Sequence, residues 1–306
     1  MSACAAFGPN DCYFLNSPTK WSMAGLPPSV GALFTKQPKI KEVYDMALGP
    51  DGSYLVAYLD HTGSRILRSD LPAGLETWLV PAAGKGVARD IASLSFILGP
   101  SKSYFAFDKN GSAWGNLPPA LHAAVEAARD KKGHFKPGQG PQSVALGPDG
   151  SYIYINTGGG GVWNLKGQND VLDQFLRDSK SLHGVFNILS PCRPGIYMTV
   201  FLGGGCAGSV PTGCSDNYNQ FAADWKQSRT RRPSAQRNIS SSVSIGRSLL
   251  KGLGLVNNLL NAANGNNGGG GGGGQTFVPN SYTGRNSTDT SNFWSPIQSA
   301  ASDPVQ

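Results

Sequence analysis

Between positions 142 and 165 the chain alternates short apolar runs with turn residues, QSVALGPDGSYIYINTGGGGVWNL. The run at 143–146 is apolar. At 151–156 tyrosine and isoleucine alternate, residue types that favour a pleated surface. A third run, VWNL, occupies 162–165. The breaks between them have turn chemistry. Pro148 presets φ, Asp149 can bond its own backbone, and Gly150 accepts positive φ at no steric cost. The four glycines from Gly158 to Gly161 can form only a turn or a loose loop. The pattern predicts three strands joined by two turns.

The same pattern recurs along the chain. ALGPDGSY stands at 47–54 and again at 145–152, ILGPSKSY at 97–104, AFGPNDCY at 6–13, and a worn copy, ILSPCRPGIY, at 188–197. The shared prolines are Pro9, Pro50, Pro100, Pro148 and Pro191, separated by 41, 50, 48 and 43 residues. A strand-rich period of this length denotes blades or a solenoid, because one unit cannot bury its own apolar face. After the third strand of four copies comes an apolar residue and a proline: Leu26-Pro27, Leu71-Pro72, Leu117-Pro118 and Val210-Pro211. The remaining copy has Leu165-Lys166. Proline suits the first turn of a helix, and Leu121, Val125 and Ala128 then follow at helical spacing. Similar apolar spacing at 75–79, 171–176 and 216–226 makes each unit strand, strand, strand, short helix.

The string SVALGPDGSYIYINTGGGGVWNL resembles the WD40-like propeller pattern. On that match Trp163-Asn164, Trp114-Gly115 and Trp21-Ser22 fall where the Trp-Asp pair would fall. No Asp follows any of these tryptophans, no Gly-His pair precedes the first strand, and a helix stands where a fourth strand belongs. The resemblance covers about residues 1–225. It implies a mainly β fold, a five-bladed β-propeller with short helices on the outside, and it leaves activity open because propellers host many chemistries.

The predicted organisation is a propeller over 1–226, with repeats at 1–38, 39–90, 91–141, 142–183 and 184–226. A basic linker follows at 227–244, then an amphipathic segment at 245–263, then a disordered Gly/Asn/Ser-rich tail at 264–306. Charge sharpens this division. The net charge is +7, and from Lys226 onward eight basic residues face two acidic ones, against eighteen and seventeen before it. Basic character therefore belongs to the tail. Leu249, Leu253, Val256 and Leu260 form an apolar stripe flanked by Arg247 and Lys251, which suits a membrane surface or a partner protein, or packing back on the repeats. Arg231 and Arg232 before Pro233-Ser234 resemble a basophilic kinase site and make Ser234 the candidate phosphosite. The same cluster suits nuclear import or a nucleic-acid contact, although no aromatic residues are interleaved to stack on bases.

No apolar run is long enough to span a bilayer. The first residues lack a basic segment and an apolar segment of signal-peptide type, so a cytoplasmic or nuclear location is expected. Cys4, Cys12, Cys192, Cys206 and Cys214 all lie in the first or fifth unit, which are neighbours in a closed ring. They form either a disulfide that locks the closure or small buried fillers. Their spacing fits no zinc site. Gly84-Lys85-Gly86 lacks the spacing of a phosphate loop. His61, His122, His134 and His183 lie in different units without a partner at fixed offset. No catalytic set, metal or cofactor is therefore expected. The tyrosines Tyr13, Tyr54, Tyr104, Tyr152 and Tyr197 occupy equivalent positions and are the candidate binding residues, with core packing as the plainer use. The leading expectation is a non-enzymatic module that binds a protein partner through its loops. A carbohydrate-binding propeller and an enzyme with an axial pocket are the alternatives.

Overall fold

The computed structural model describes residues 4–81 and 86–230. The expectations that fall on 231–306, including most of the basic linker, the amphipathic segment, the tail and Ser234, lie outside the described residues.

Among the described residues the fold is mainly β, with five antiparallel three-stranded sheets and five α-helices in a propeller-like repeat arrangement. Unit one holds β1 (Cys4–Phe7), β2 (Tyr13–Asn16), β3 (Trp21–Ala24) and α1 (Pro28–Thr35). Unit two holds β4 (Glu42–Leu48), β5 (Tyr54–Leu59), β6 (Ser64–Ser69) and α2 (Ala73–Leu79). Unit three holds β7 (Ser95–Leu98), β8 (Tyr104–Asp108), β9 (Gly111–Gly115) and α3 (Pro119–Ala127). Unit four holds β10 (Pro141–Leu146), β11 (Tyr152–Asn156), β12 (Gly161–Asn164) and α4 (Asp170–Asp178). Unit five holds β13 (Val185–Leu189), β14 (Tyr197–Phe201), β15 (Cys206–Ser209) and α5 (Ser215–Thr230).

At the motif end the first and second strands pair in the same register in every sheet. Phe7, Leu48, Leu98, Leu146 and Leu189 end the first strands, each opposite the tyrosine that opens the second. Between them lies a tight turn whose glycine N–H bonds back to position 12, 53, 103 or 151 in the first four units. In units one, three and four the residue after proline adopts positive φ: Asn10 at 54°, Ser101 at 55° and Asp149 at 56°. Unit two solves the turn differently, with Asp51 Oδ1 accepting from Ser53 N and Oγ and only Gly52 left-handed.

Each unit buries its apolar residues against the next, as the periodicity requires. Val30 and Phe14 meet Leu48, Tyr54 and Val56. Leu75 and Leu79 of α2 meet Leu98, Tyr104 and Ala106. Leu121 and Val125 of α3 meet Leu146, Tyr152 and Tyr154. Leu172 and Leu176 of α4 meet Val185 and Leu189, with Tyr197 packed beside them. Phe221 and Trp225 of α5 meet Phe7, Tyr13 and Leu15 of the first unit. In every seam the helix of one unit therefore sits over the first and second strands of its neighbour.

The repeated motif is built for this contact. A Cβ added to Gly8 would lie 2.9 Å from the Cβ of Leu48, and one on Gly99 would lie 2.8 Å from that of Leu146. At these two positions a side chain would collide with the strand-end leucine of the next unit. Two tyrosine hydroxyls reach back to the preceding helix: Tyr54 to Ser29 Oγ at 2.6 Å, and Tyr13 accepting from Asn217 Nδ2 at 2.7 Å.

Three details differ from the sequence expectation. Trp114 pairs with Phe105 and Trp163 with Ile153, one residue past the motif tyrosine, but Trp21 pairs with Asn16. Met23, opposite Phe14, holds the equivalent place in unit one. Trp21 lies nearer the hairpin and packs edge-on against Phe34, centroids 5.2 Å apart. Helix α5 runs on to Thr230, past the boundary expected at 226, with Asp216 inside its first turn. All five cysteines are free. Cys4, Cys12 and Cys214 are buried and serve as small apolar fillers, so no disulfide locks the first and fifth units.

Candidate functional site

The chain direction sorts the loops into two sets. First strands end, and helices begin, at one side, here the turn face. It carries the Gly-Pro turns and the links from third strands to helices. Second strands end, and helices finish, at the other, here the hairpin face. Polar contacts knit each set together. On the turn face Asp11 pairs with Arg193, Asp51 with Lys102 at 3.3 Å, and Asp149 accepts from Gln168 at 3.2 Å. On the hairpin face Lys109 pairs with Asp90 at 2.9 Å, and Asn110 Nδ2 donates to Ala88 O at 2.8 Å. There the Gly158 and Thr157 amides also bond to Gly138 and Gly140.

The candidate tyrosines are not brought together. Tyr13, Tyr54, Tyr104 and Tyr152 are buried and Tyr197 is half-buried, each in its own seam. Burial raises the phenol pKa of Tyr104, Tyr152 and Tyr197. The histidines stay apart as well. His122 lies 4.0 Å from Glu126 on the same helix, and His134 lies in the 128–140 loop.

On the turn face a cavity of about 230 Å³ opens between the first two units, lined by Pro9, Leu26, Pro27, Leu48, Gly49 and Cys12. There the Cys12 thiol borders the hollow. Burial, the neighbouring Cys192 thiol and Asp11 push the Cys12 thiol up to about 11. At neutral pH it is therefore protonated and unreactive. Among the described residues no group of three or more His, Cys, Asp or Glu could hold a metal ion, and no helix is long and apolar enough to cross a membrane.

Two polar features were not visible in the sequence. Asp45, buried on β4, accepts from Phe96 N at 3.1 Å across the seam and from Met46 N at 2.9 Å. Burial pushes its carboxyl up to about 7, although the amides and the Ser95 hydroxyl pull the other way. Ser143 has the same role between units four and five, its Oγ accepting from Asn187 N at 3.0 Å. These side chains satisfy first-strand amides that have no ladder partner. The second feature joins the first unit to the last. Asp224 Oδ2 on α5 accepts from Ser17 Oγ at 2.8 Å and from Thr19 Oγ1, both in the first hairpin. An acidic residue on a helix and hydroxyls 205 and 207 residues away carry no pattern that sequence reading could pair.

The 128–140 connector on the hairpin face is braced by its own contacts. Arg129 and Phe135 form a β-bridge, Asp130 N bonds to His134 O at 2.8 Å, and Asp130 Oδ1 accepts from Lys132 N and His134 N. Those hydrogen bonds hold the Asp130 carboxyl below its ordinary range. Arg129 lies over the Trp114 ring, 4.9 Å from its centroid. No protein-family model matches the chain, and no curated protein matches it.

Proposed function

We propose that the five units close as a five-bladed propeller and that the protein is a non-enzymatic binding module, engaging a protein partner through its loops. The closure is supported by the fifth seam, in which α5 meets the first unit as every other helix meets its neighbour. The binding role is carried by one observation: the residues the units share are spent on seams, while the loops they do not share are exposed and internally braced. The 128–140 connector is the clearest case, a fixed loop with Lys131, Lys132 and His134 exposed. Binding residues concentrate on loops that a rigid scaffold positions. The five motif tyrosines lie in the seams and pack there.

The test is affinity capture with the full chain and with a variant in which 131–139 is replaced by Gly and Ser. A specific protein partner held by the parent and lost by the variant, with circular dichroism unchanged, is the expected result. Turnover on a substrate panel, with no partner captured, overturns the reading.

A further inference from the structure

The near-neutral charge of the repeats conceals a separation. On the turn face the described loops carry four acidic residues (Asp11, Asp51, Asp70, Asp149) and three basic ones (Lys102, Lys166, Arg193). On the hairpin face the described loops carry eleven basic residues and three acidic ones (Asp60, Asp90, Asp130). Lys36, Lys39 and Lys41 stand together between the first two units, and Lys131, Lys132 and Lys136 between the third and fourth. Lys20 and Lys180 add to the same side, and all eight lysines are exposed. Of the basic residues there, Lys109 pairs with Asp90, Arg89 with Asp108 and Arg129 with Glu126, and Lys20 faces the Asp224 carboxylate.

We propose that this hairpin face docks on an anionic membrane surface. The proposal goes beyond the binding reading above and does not depend on it. Three observations select a lipid surface over other polyanions. Lys20 aside, the unneutralised charges are lysines spread over several units, and ammonium groups answer a diffuse negative potential rather than a paired set of acceptors. Large apolar side chains that are exposed among the described residues number three, and two of them, Val80 at 54% and Val87 at 58%, are on this face. Apolar contact beside basic residues is what an interfacial site requires. No Phe, Tyr or Trp side chain is exposed among the described residues, so no large ring there offers bases a stacking platform. Helix α5 also ends on this face at Thr230, and the chain passes directly into Arg231 and Arg232.

The experiment is flotation of the full chain with phosphatidylcholine vesicles, with and without phosphatidylserine, at rising salt. Binding is expected only with the anionic lipid and should weaken with salt. Replacing Lys36, Lys39 and Lys41 together by Gln should weaken it about a hundredfold, at about fivefold per lysine. Lys131→Gln with Lys132→Gln should weaken it further, and Val80→Ser with Val87→Ser again. Lys102→Gln with Lys166→Gln removes like charge from the turn face and should change nothing. Far-ultraviolet circular dichroism confirms that each variant is folded. The proposal is overturned by absence of flotation, by equal losses from both faces, or by binding that only Arg231→Gln, Arg232→Gln and Arg237→Gln abolish. Duplex or single-stranded nucleic acid bound in preference to the vesicles also overturns it.

Discussion

Removing the Asp224 carboxylate tests whether the first and fifth units are joined. Asp224→Ala deletes two hydrogen bonds from Ser17 and Thr19 across the seam, and one from Gln220 at 2.8 Å within α5. A hydrogen bond to a charged group is worth about 1.5–3 kcal/mol net. Part of that is recovered, because Ser17 Oγ keeps Lys20 O at 3.1 Å and Thr19 is exposed to water. The expected cost is about 2–3 kcal/mol, or about 5–10 °C in Tm for a domain of this size. Urea unfolding supplies the free energy and differential scanning calorimetry the midpoint. A double-mutant cycle with Ser17→Ala should return a coupling of about 1 kcal/mol or more. The pH dependence gives an independent check. Burial alone would raise the Asp224 pKa, but the bonds from Thr19, Ser17 and Gln220 outweigh it and hold the carboxyl below its ordinary range. Its contribution is thus present above the ordinary carboxylate pKa and lost as pH falls through the lowered value. The variant and the parent should converge in acid. A cost below about 0.5 kcal/mol with no coupling would mean that the fifth seam is not a structural joint, and the ring proposal would fall with it.

Two further outcomes follow from the seams and the buried carboxyl. Gly99→Ala should cost about 1–3 kcal/mol, since its Cβ would meet Leu146 Cβ at 2.8 Å and Ser103 Oγ at 2.5 Å. Gly31→Ala, in α1 with nothing within 4 Å, should stabilise by about 0.5–1 kcal/mol, and chemical denaturation of the two variants checks the contrast. Asp45 has a folded-state pKa raised to about 7, so its folded form holds a proton that the unfolded form has lost. Its contribution is full below the ordinary carboxylate pKa and declines as pH rises to about 7. Relative to Asp45→Asn, the parent should lose stability across that window, by on the order of 4 kcal/mol as an upper bound, in urea titrations at a series of pH values. A constant difference would show that the carboxyl is ionised throughout.

The architecture was legible because the units repeat one plan with small variations, such as Phe7 for the strand-end leucine and Ser190 for the turn glycine. The Gly-Pro turn, the strand-end leucine and the tyrosine recur in sequence since each closes a seam, and a seam needs the same shapes at every turn of the repeat. Trp21 shows the limit of such alignment. It resembles Trp114 and Trp163 by order along the chain, yet Met23 takes the equivalent place opposite Phe14 and Trp21 falls two residues nearer the hairpin. A side chain's register depends on hairpin length, and that is set by turn geometry rather than by the apolar pattern. The cysteines show another limit. Their gathering in the first and fifth units reflects small buried positions, and burial alone accounts for Cys4, Cys12 and Cys214.

The charge separation was hidden for a topological reason. Successive loops of a three-strand unit alternate between the two faces, so any sum taken along the chain mixes them. The turn after β4 holds Asp51 and belongs to one face, while the connector before it holds Lys36, Lys39 and Lys41 and belongs to the other. Such opposite charges offset one another in a sum along the sequence, yet strand β4, seven residues long, sets them at opposite ends. At about 3.4 Å per residue that is more than about 20 Å, beyond two Debye lengths at physiological salt, so neither charge screens the other. A repeat whose strands outreach the screening distance can therefore be neutral as a chain and strongly charged on one face. On the docking proposed above, the lysines on that face would act together on the surface laid against it, an effect that the sum along the sequence does not carry.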